Sequence, residues 1–344
     1  MSLKDFTTRV YPYLFIFAFF ALLLLPLRNL ASSPSQIETG FYGREWLIRA
    51  YTDYRISIGD RVFPKAVLGR DRWLFFTAEA SVDDYQNTIP YKGNELREIK
   101  QDIFAVQEEL KNRGITLLIV IVPNKSTIYP DYMPAEIPVI GERSRLDQLS
   151  SYLRRGDKKI RVLDLRPALR EARKEHQIYY STDTHWNDYG AHAAYSRIIS
   201  TLGQAYPVLQ PHPLADFRYE SFGMQTLDLS VNIGASILKE EKFQLKPTFD
   251  SATNYKTLAL DNGRRITLSW NPDQRLPRAL IYHDSFFFQV NPMLGAHFSN
   301  ATYIPHYTGD GIWDLDWIDQ QDPDIIIVEF AERYIHDLTR LLKP

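Results

Sequence analysis

The sequence predicts an α/β protein built on a parallel sheet, and three observations carry that expectation. Uninterrupted apolar runs of strand length, "ITLLIVIV" at 115–122, "RALIYH" at 278–283 and "DIIIVEF" at 324–330, suit strands covered by helices on both faces. Segments with three- and four-residue apolar spacing lie between such runs and predict the covering helices. Residues able to do chemistry stand directly after the runs, where open parallel sheets form their sites.

The elements follow in order. Between Arg9 and Arg28 runs "VYPYLFIFAFFALLLLPL", residues 10–27, uncharged and long enough to cross a bilayer once. Lys4 and Arg9 before it predict a cytoplasmic N-terminus (1–9), a single-pass signal anchor in the inner membrane and an exported remainder. A cleaved signal peptide, with "ASS" at 31–33 as its small residues, is the alternative. Residues 28–40 read as a stalk and 41–92 as a lead-in, with a hairpin expected around Asp71-Arg72. From 93 to 344 helix and strand alternate: Leu96, Ile99, Ile103, Val106 and Leu110 mark a helix that Gly114 ends. A strand at 160–165 and helices near 166–176, 188–203, 286–298 and 332–342 complete the pattern. Residues 207–275 are punctuated by Pro and Asn, and Asp261-Asn262-Gly263 signals a hairpin, so this stretch is expected to be a β-rich insertion.

Composition narrows the function. The 344 residues are 44% hydrophobic, enough for a sizeable core. Forty basic and 42 acidic residues leave a net charge of -2, so the chain lacks the basic field a nucleic-acid partner requires. There is no cysteine, which removes disulfides, thiol nucleophiles and cysteine-bound zinc.

The strand ends select Asn124 and Lys125, the loop 179–187, Asp284 with Ser285, and Glu329 with Arg333. Ser285 follows a buried strand and precedes an apolar helix, a turn that presents a hydroxyl beside helix N-terminal amides able to hold an oxyanion. A serine needs a base, and the base needs an orienting group. Asp183-Thr184-His185 supplies both, because residues two apart in an extended loop project to one side. Asn124 and Lys125 are candidates for an oxyanion or a sugar hydroxyl, and a plain turn is the other reading. Glu329 and Arg333 read either as substrate ligands or as an ion pair closing the last strand. Trp186 is a candidate for stacking on a sugar ring, or a core residue. His283, His185 and Asp183 as a metal site would leave Ser285 without its base, so no metal and no cofactor are expected.

With these residues in place the chain resembles the alginate O-acetyltransferase family of the AlgJ and AlgX type, whose SGNH-hydrolase-like domains acetylate exopolysaccharides outside the cytoplasm. The matching segments occur in order: "LGRDRWLFFTAE", "VPNKSTIYPDYMP", "STDTHWNDYGA", "LDLSVNIG", "YHDSFF" and "EFAERYI". The resemblance implies Ser285 as nucleophile, His185 as base and Asp183 as orienter, with acetyl delivered by a membrane-bound O-acyltransferase partner to a polysaccharide acceptor. One departure is His283 before Asp284, where SGNH enzymes usually carry glycine; its side chain is a candidate to narrow the approach to Ser285 or to contribute to substrate binding. The same residues would serve an acetyl esterase with water as acceptor, and a carbohydrate-binding scaffold without catalysis is the reading from another class.

Overall fold

The computed structural model describes residues 3–30, 40–155, 160, 162–249, 251–259, 265–306 and 315–338. They fall into two compact units, one of residues 1–60 with 231–237 and one of 61–230 with 238–344. The expected stalk lies largely outside the described residues, as does the turn at 261–263.

The first unit holds a 28-residue helix, Leu3–Leu30, and the helix Arg44–Ser57. Apolar side chains from Tyr11 to Leu27 are exposed on it. Among the described residues no helix is long and apolar enough to cross a membrane, so the expected span at 10–27 is not shown. The helix Arg44–Ser57 buries Thr52 and Ile56, and its Thr52 Oγ1 donates to the Ile233 carbonyl.

The second unit carries twelve strands among the described residues. β1 (Val62–Phe63), β2 (Ala66–Leu68) and β3 (Leu74–Phe76) form a small antiparallel sheet. The turn between β2 and β3 contains Asp71 and Arg72, both with left-handed φ, as the sequence anticipates there. β4 (Thr116–Val122) and β5 (Val162–Asp164) follow, then β6 (Phe217–Gln225) with β7 (Glu240–Pro247), β8 (Asn254–Ala259), β9 (Arg265–Trp270), β10 (Arg278–His283), β11 (Asn300–Pro305) and β12 (Ile325–Ala331).

Seven of these make the main sheet, in the order β5-β4-β12-β10-β11-β9-β8. The first five run parallel, while β9 pairs antiparallel with β11 and with β8. The sheet is therefore mixed rather than parallel throughout. Part of the expected insertion at 207–275 closes one side of the sheet, where β11 would otherwise present unpaired backbone. The rest, β6 with β7, forms a separate two-stranded ribbon.

Burial on both faces explains the unbroken apolar runs. Leu118, Val120 and Val122 of β4 pack with Ala191, Ala194 and Ile198 of the helix Asp188–Leu202 on one side. Ile119 and Ile121 pack with Leu96, Ile99 and Ile103 of the helix Gly93–Asn112 on the other. At ~1.5–3 kcal/mol for each fully buried aliphatic side chain, β4 alone contributes enough to fix it between β5 and β12.

The helix expected at 166–176 spans Arg166–Ala172, and the one expected at 286–298 is broken up. The stretch 286–298 forms three brief turns, Ser285–Phe288, Asn291–Leu294 and Gly295–His297, because Pro292 has no N–H to continue a helix. After β12 the chain makes a 3-10 turn, Glu332–Asp337, and residues beyond 338 lie outside the described set.

Candidate active site

The parallel strands β4, β10 and β12 deliver their C-terminal residues to one edge of the sheet, and the site assembles from there. A β-bridge between Tyr179 and Trp186 makes the intervening residues a tight loop. Asn187 ends it by capping the next helix, its Oδ1 accepting from Tyr189 N at 3.0 Å and Gly190 N at 3.3 Å.

Within that loop His185 Nδ1 lies 2.8 Å from Asp183 Oδ1, and His185 Nε2 lies 2.8 Å from Ser285 Oγ. Burial raises Asp183, but the bond to His185, its charge and two backbone amides outweigh that and hold the carboxyl at about 2. An ionised carboxylate only accepts, so Nδ1 carries the proton and Nε2 presents its lone pair to the serine hydroxyl. Sequence reasoning brought these three together, and the structure sets them in a continuous hydrogen-bonded series.

Three groups hold the loop from outside. Lys125, at the end of β4 and buried, donates from Nζ to the carbonyls of Tyr180 (3.0 Å), Ser181 (3.0 Å) and Asp183 (2.6 Å). Burial lowers its pKa to about 8. Glu240 of β7 accepts from Ser181 N, Thr182 N and Thr182 Oγ1 at 3.0, 3.0 and 3.1 Å. Asp228 accepts from Thr184 N at 2.6 Å, and its other oxygen stands 3.7 Å from His185 Nδ1.

Asp228 and Glu240 were not among the expected site residues. Asp228 lies in "LDLSVNIG", 45 positions past Asp183 in the hydrogen bond its own amide makes to Asp183 Oδ2, 3.4 Å long. Burial, then the neighbouring Asp183, raises the Asp228 carboxyl. Asp183, His185 and Asp228 offer ligand atoms within 4.8 Å of one another. A cation there would compete with the Nδ1 proton that Asp183 holds, so the donor set suits imidazole orientation better than metal coordination.

The serine turn is fixed by a buried carboxylate. Asp284 Oδ1 accepts from Phe286 N at 2.8 Å and Oδ2 from Ala331 N at 2.9 Å, while Asp284 N donates to Glu329 Oε2 at 2.9 Å. Phe287 N also turns back, to the Asp284 carbonyl. The turn Ser285–Phe288 is a 3-10 turn whose next two amides are thus occupied, which leaves Ser285 N–H as the amide without a partner among the described residues.

The other candidates divide. Trp186 is fully buried and its Nε1 donates to the Phe286 carbonyl at 3.1 Å, so it braces the serine turn and offers no face to a sugar. His283 is buried as well, with Nδ1 on the Asp284 carbonyl and Nε2 beside Asn291 Nδ2, and burial lowers its pKa to about 4. It is a neutral core residue pointing away from metal ligation. Lys125 has its three protons engaged in the loop, which makes it a positioning residue rather than a substrate ligand.

Glu329 and Arg333 do not form the expected ion pair. Burial and the Asp284 charge push the Glu329 carboxyl well above the usual range, so a neutral acid sits under the serine turn. Arg333 is directed instead to Glu79 (3.2 Å) and Asn124 Oδ1 (3.4 Å), with its guanidinium 5.5 Å from the Phe286 ring centroid. Asn124, Lys125, Thr184 and Arg333 line one small cavity of about 20 Å³, and the buried Asn124 Nδ2 has no partner. That is room for a single water-sized group beside the Asn124 amide.

A mixed α/β sheet with an Asp-x-His loop and a serine turn at its carboxyl edge is an SGNH-hydrolase-like arrangement. Residues 66–262 match the model of the ALGX family, described as SGNH hydrolase-like domain, acetyltransferase AlgX, and the chain belongs to that family. The matched stretch contains Asp183, His185 and Asp228 and stops before Ser285. The chain is 30% identical over 143 residues to the probable alginate O-acetylase AlgJ of Pseudomonas aeruginosa, covering 42% of this chain and 34% of that protein. With the AlgJ of Pseudomonas putida the figures are 25% over 288 residues, 79% and 70%. This chain therefore spans about a third of the first relative's length in the matched region. Among solved structures, Bacillus cereus PatB1 with a sulfonyl adduct aligns at TM-score 0.61 and 16% identity, covering 80% of this chain and 96% of that one. The O-acetyltransferase domain of Pseudomonas putida AlgJ aligns at 0.50 and 20%, covering 79% and 93%. At these identities the structural likeness speaks for the fold.

Proposed function

We propose that this protein is an exopolysaccharide O-acetyltransferase working through an acetyl-serine. The observation that carries the reading is the unbroken series Asp183–His185–Ser285 at 2.8 Å steps, in a chain of the AlgX acetyltransferase family. Ser285 Oγ attacks the carbonyl carbon of an acetyl donor while His185 Nε2 takes the hydroxyl proton. The tetrahedral oxyanion is met by Ser285 N–H and by Asn124 Nδ2, a buried donor without a partner among the described residues. Collapse expels the donor's leaving group, which takes the proton from His185. A sugar hydroxyl then attacks acetyl-Ser285, His185 removes its proton, and that proton returns to Ser285 Oγ as the sugar ester departs. Asp183 stays ionised throughout and holds the imidazole in its tautomer.

The acceptor is a polysaccharide, in keeping with relatives named for alginate. The donor is a membrane-bound O-acyltransferase partner. The uncharged stretch 10–27 anchors the chain, with its catalytic unit on the extracytoplasmic side.

Intact-mass analysis of the full chain with p-nitrophenyl acetate and hexasaccharides tests this directly. The expected result is one added acetyl on the wild type, none on Ser285→Ala, and transfer to a sugar in preference to water. Transfer to water alone makes the protein an esterase, and no serine-dependent acetyl refutes the acyl-serine.

A further inference from the structure

A second, larger cavity of about 380 Å³ opens beside the serine turn, within the ~300–1,000 Å³ typical of ligand sites. Its lining comes from both segments that bear the reacting side chains. Asp188 lies three residues after His185, and Tyr180 opens the same loop. Phe288 and Gln289 lie three and four residues after Ser285, and Phe222 and Phe243 reach in from the β6–β7 ribbon.

Two properties of this lining point to one class of ligand. Phe222 and Phe288 are 47% and 52% exposed, an unusual state for phenylalanine in a cavity wall. Phe222 is set there by a break in register between Ser221 and Met224, with Gly223 at φ 75°. The same wall carries polar side chains. Gln289 gives Nε2 to the Trp186 carbonyl at 3.1 Å, and its Oε1 is buried without a partner. Asp188, 7% exposed, accepts from Leu245 N at 2.7 Å with one oxygen, and the other has no partner among the described residues.

A pyranose ring fits that pattern, since its C–H face packs on aromatic rings while its equatorial hydroxyls donate outward. An acyl chain would cover the rings but leave the second oxygen of the lining Asp188 carboxyl without a donor. We infer that this cavity is the acceptor subsite, holding a sugar residue of the polysaccharide on Phe222 and Phe288 so that a hydroxyl of the same chain meets acetyl-Ser285. The inference rests on the acyl-serine reading for its reaction, and on the cavity alone for its ligand.

The test uses the full chain as wild type, Phe288→Ala, Phe222→Ala and Phe288→Trp. Three readouts are taken: Ser285 acylation by p-nitrophenyl acetate, acceptor KM, and calorimetric binding of hexasaccharides of uronate, neutral glucan and N-acetylhexosamine type. Both alanine variants should acylate within about twofold of wild type while acceptor KM and dissociation constant rise about tenfold, the scale of one aromatic contact. Phe288→Trp should keep acceptor binding, because it keeps a stacking face. Unchanged KM and binding in both alanine variants overturns the subsite, as does a wild type that binds none of the hexasaccharides. A wild type that binds a hexasaccharide through Phe288 yet never acetylates Ser285 supports the sugar site and refutes the acyl-serine instead.

Discussion

Replacing Lys125 with methionine removes a cation that holds the Asp–His loop while keeping much of the side chain's volume over Trp73 and Phe75. Three carbonyls, those of Tyr180, Ser181 and Asp183, lose their donor at once. Hydrogen bonds to a charged group contribute ~1.5–3 kcal/mol each, so the gross loss is about 4–9 kcal/mol. Against it stands the burial of the ammonium, which lowers Lys125 to about 8 from 10.5 and is worth about 3 kcal/mol. The net expectation is a loss of about 1–6 kcal/mol, most of it local to residues 180–185. A loop displaced by a fraction of an ångström no longer sets Nε2 on Ser285, so acylation by p-nitrophenyl acetate should fall at least tenfold. Urea unfolding and the acylation rate check this together. A Lys125→Met protein with wild-type stability and wild-type acylation would refute the assignment of Lys125 as the loop's support.

Asp228→Asn keeps an acceptor for Thr184 N but removes the charge 3.7 Å from His185 Nδ1. The imidazolium formed during acylation loses that stabilisation, and after solvent screening a five- to tenfold drop in acylation rate, about 1 kcal/mol, is expected with little change in folding. Glu332 is fully buried, and burial raises it from 4.5 to about 7. The folded protein then holds a proton the unfolded chain has released, so stability declines as pH rises from about 4.5 to 7, by about 3 kcal/mol in all. Glu332→Gln should flatten that slope in urea unfolding measured at pH 5 and pH 8, and an unchanged slope would assign it to other groups. Gly190→Ala places a methyl 2.3 Å from the Ile178 carbonyl and 2.8 Å from Trp186 Cβ. Thermal unfolding should show a loss of about 1–3 kcal/mol, and a neutral effect would mean the loop yields more freely than its packing suggests.

Where one strand or one short loop carried the information, the sequence was sufficient. β4, β10 and β12 are buried on both faces, so their residues had to be apolar without interruption, and that run is visible in one dimension. Asp183 and His185 are two residues apart and Ser285 follows its strand directly, so local backbone geometry already set their projection. β11 was not anticipated, because "NATYIP" is short and its membership in the sheet depends on β10 and β9 lying on either side.

What the tertiary structure alone decided was how distant side chains are shared out. Lys125 at a strand end read equally as a ligand or as part of a plain turn, and only the position of the 180–183 carbonyls shows where its protons go. Trp186 and His283 carry chemistry-capable groups, yet burial and the Phe286 and Asp284 carbonyls commit them to the core. Asp228 and Glu240 reach the loop from 44 and 59 positions away, and the cavity lined by Phe222 and Phe288 joins segments separated by 66 residues. Spacing along the chain reports contacts made within a few residues, whereas long-range contacts depend on how the sheet and the β6–β7 ribbon close over one another.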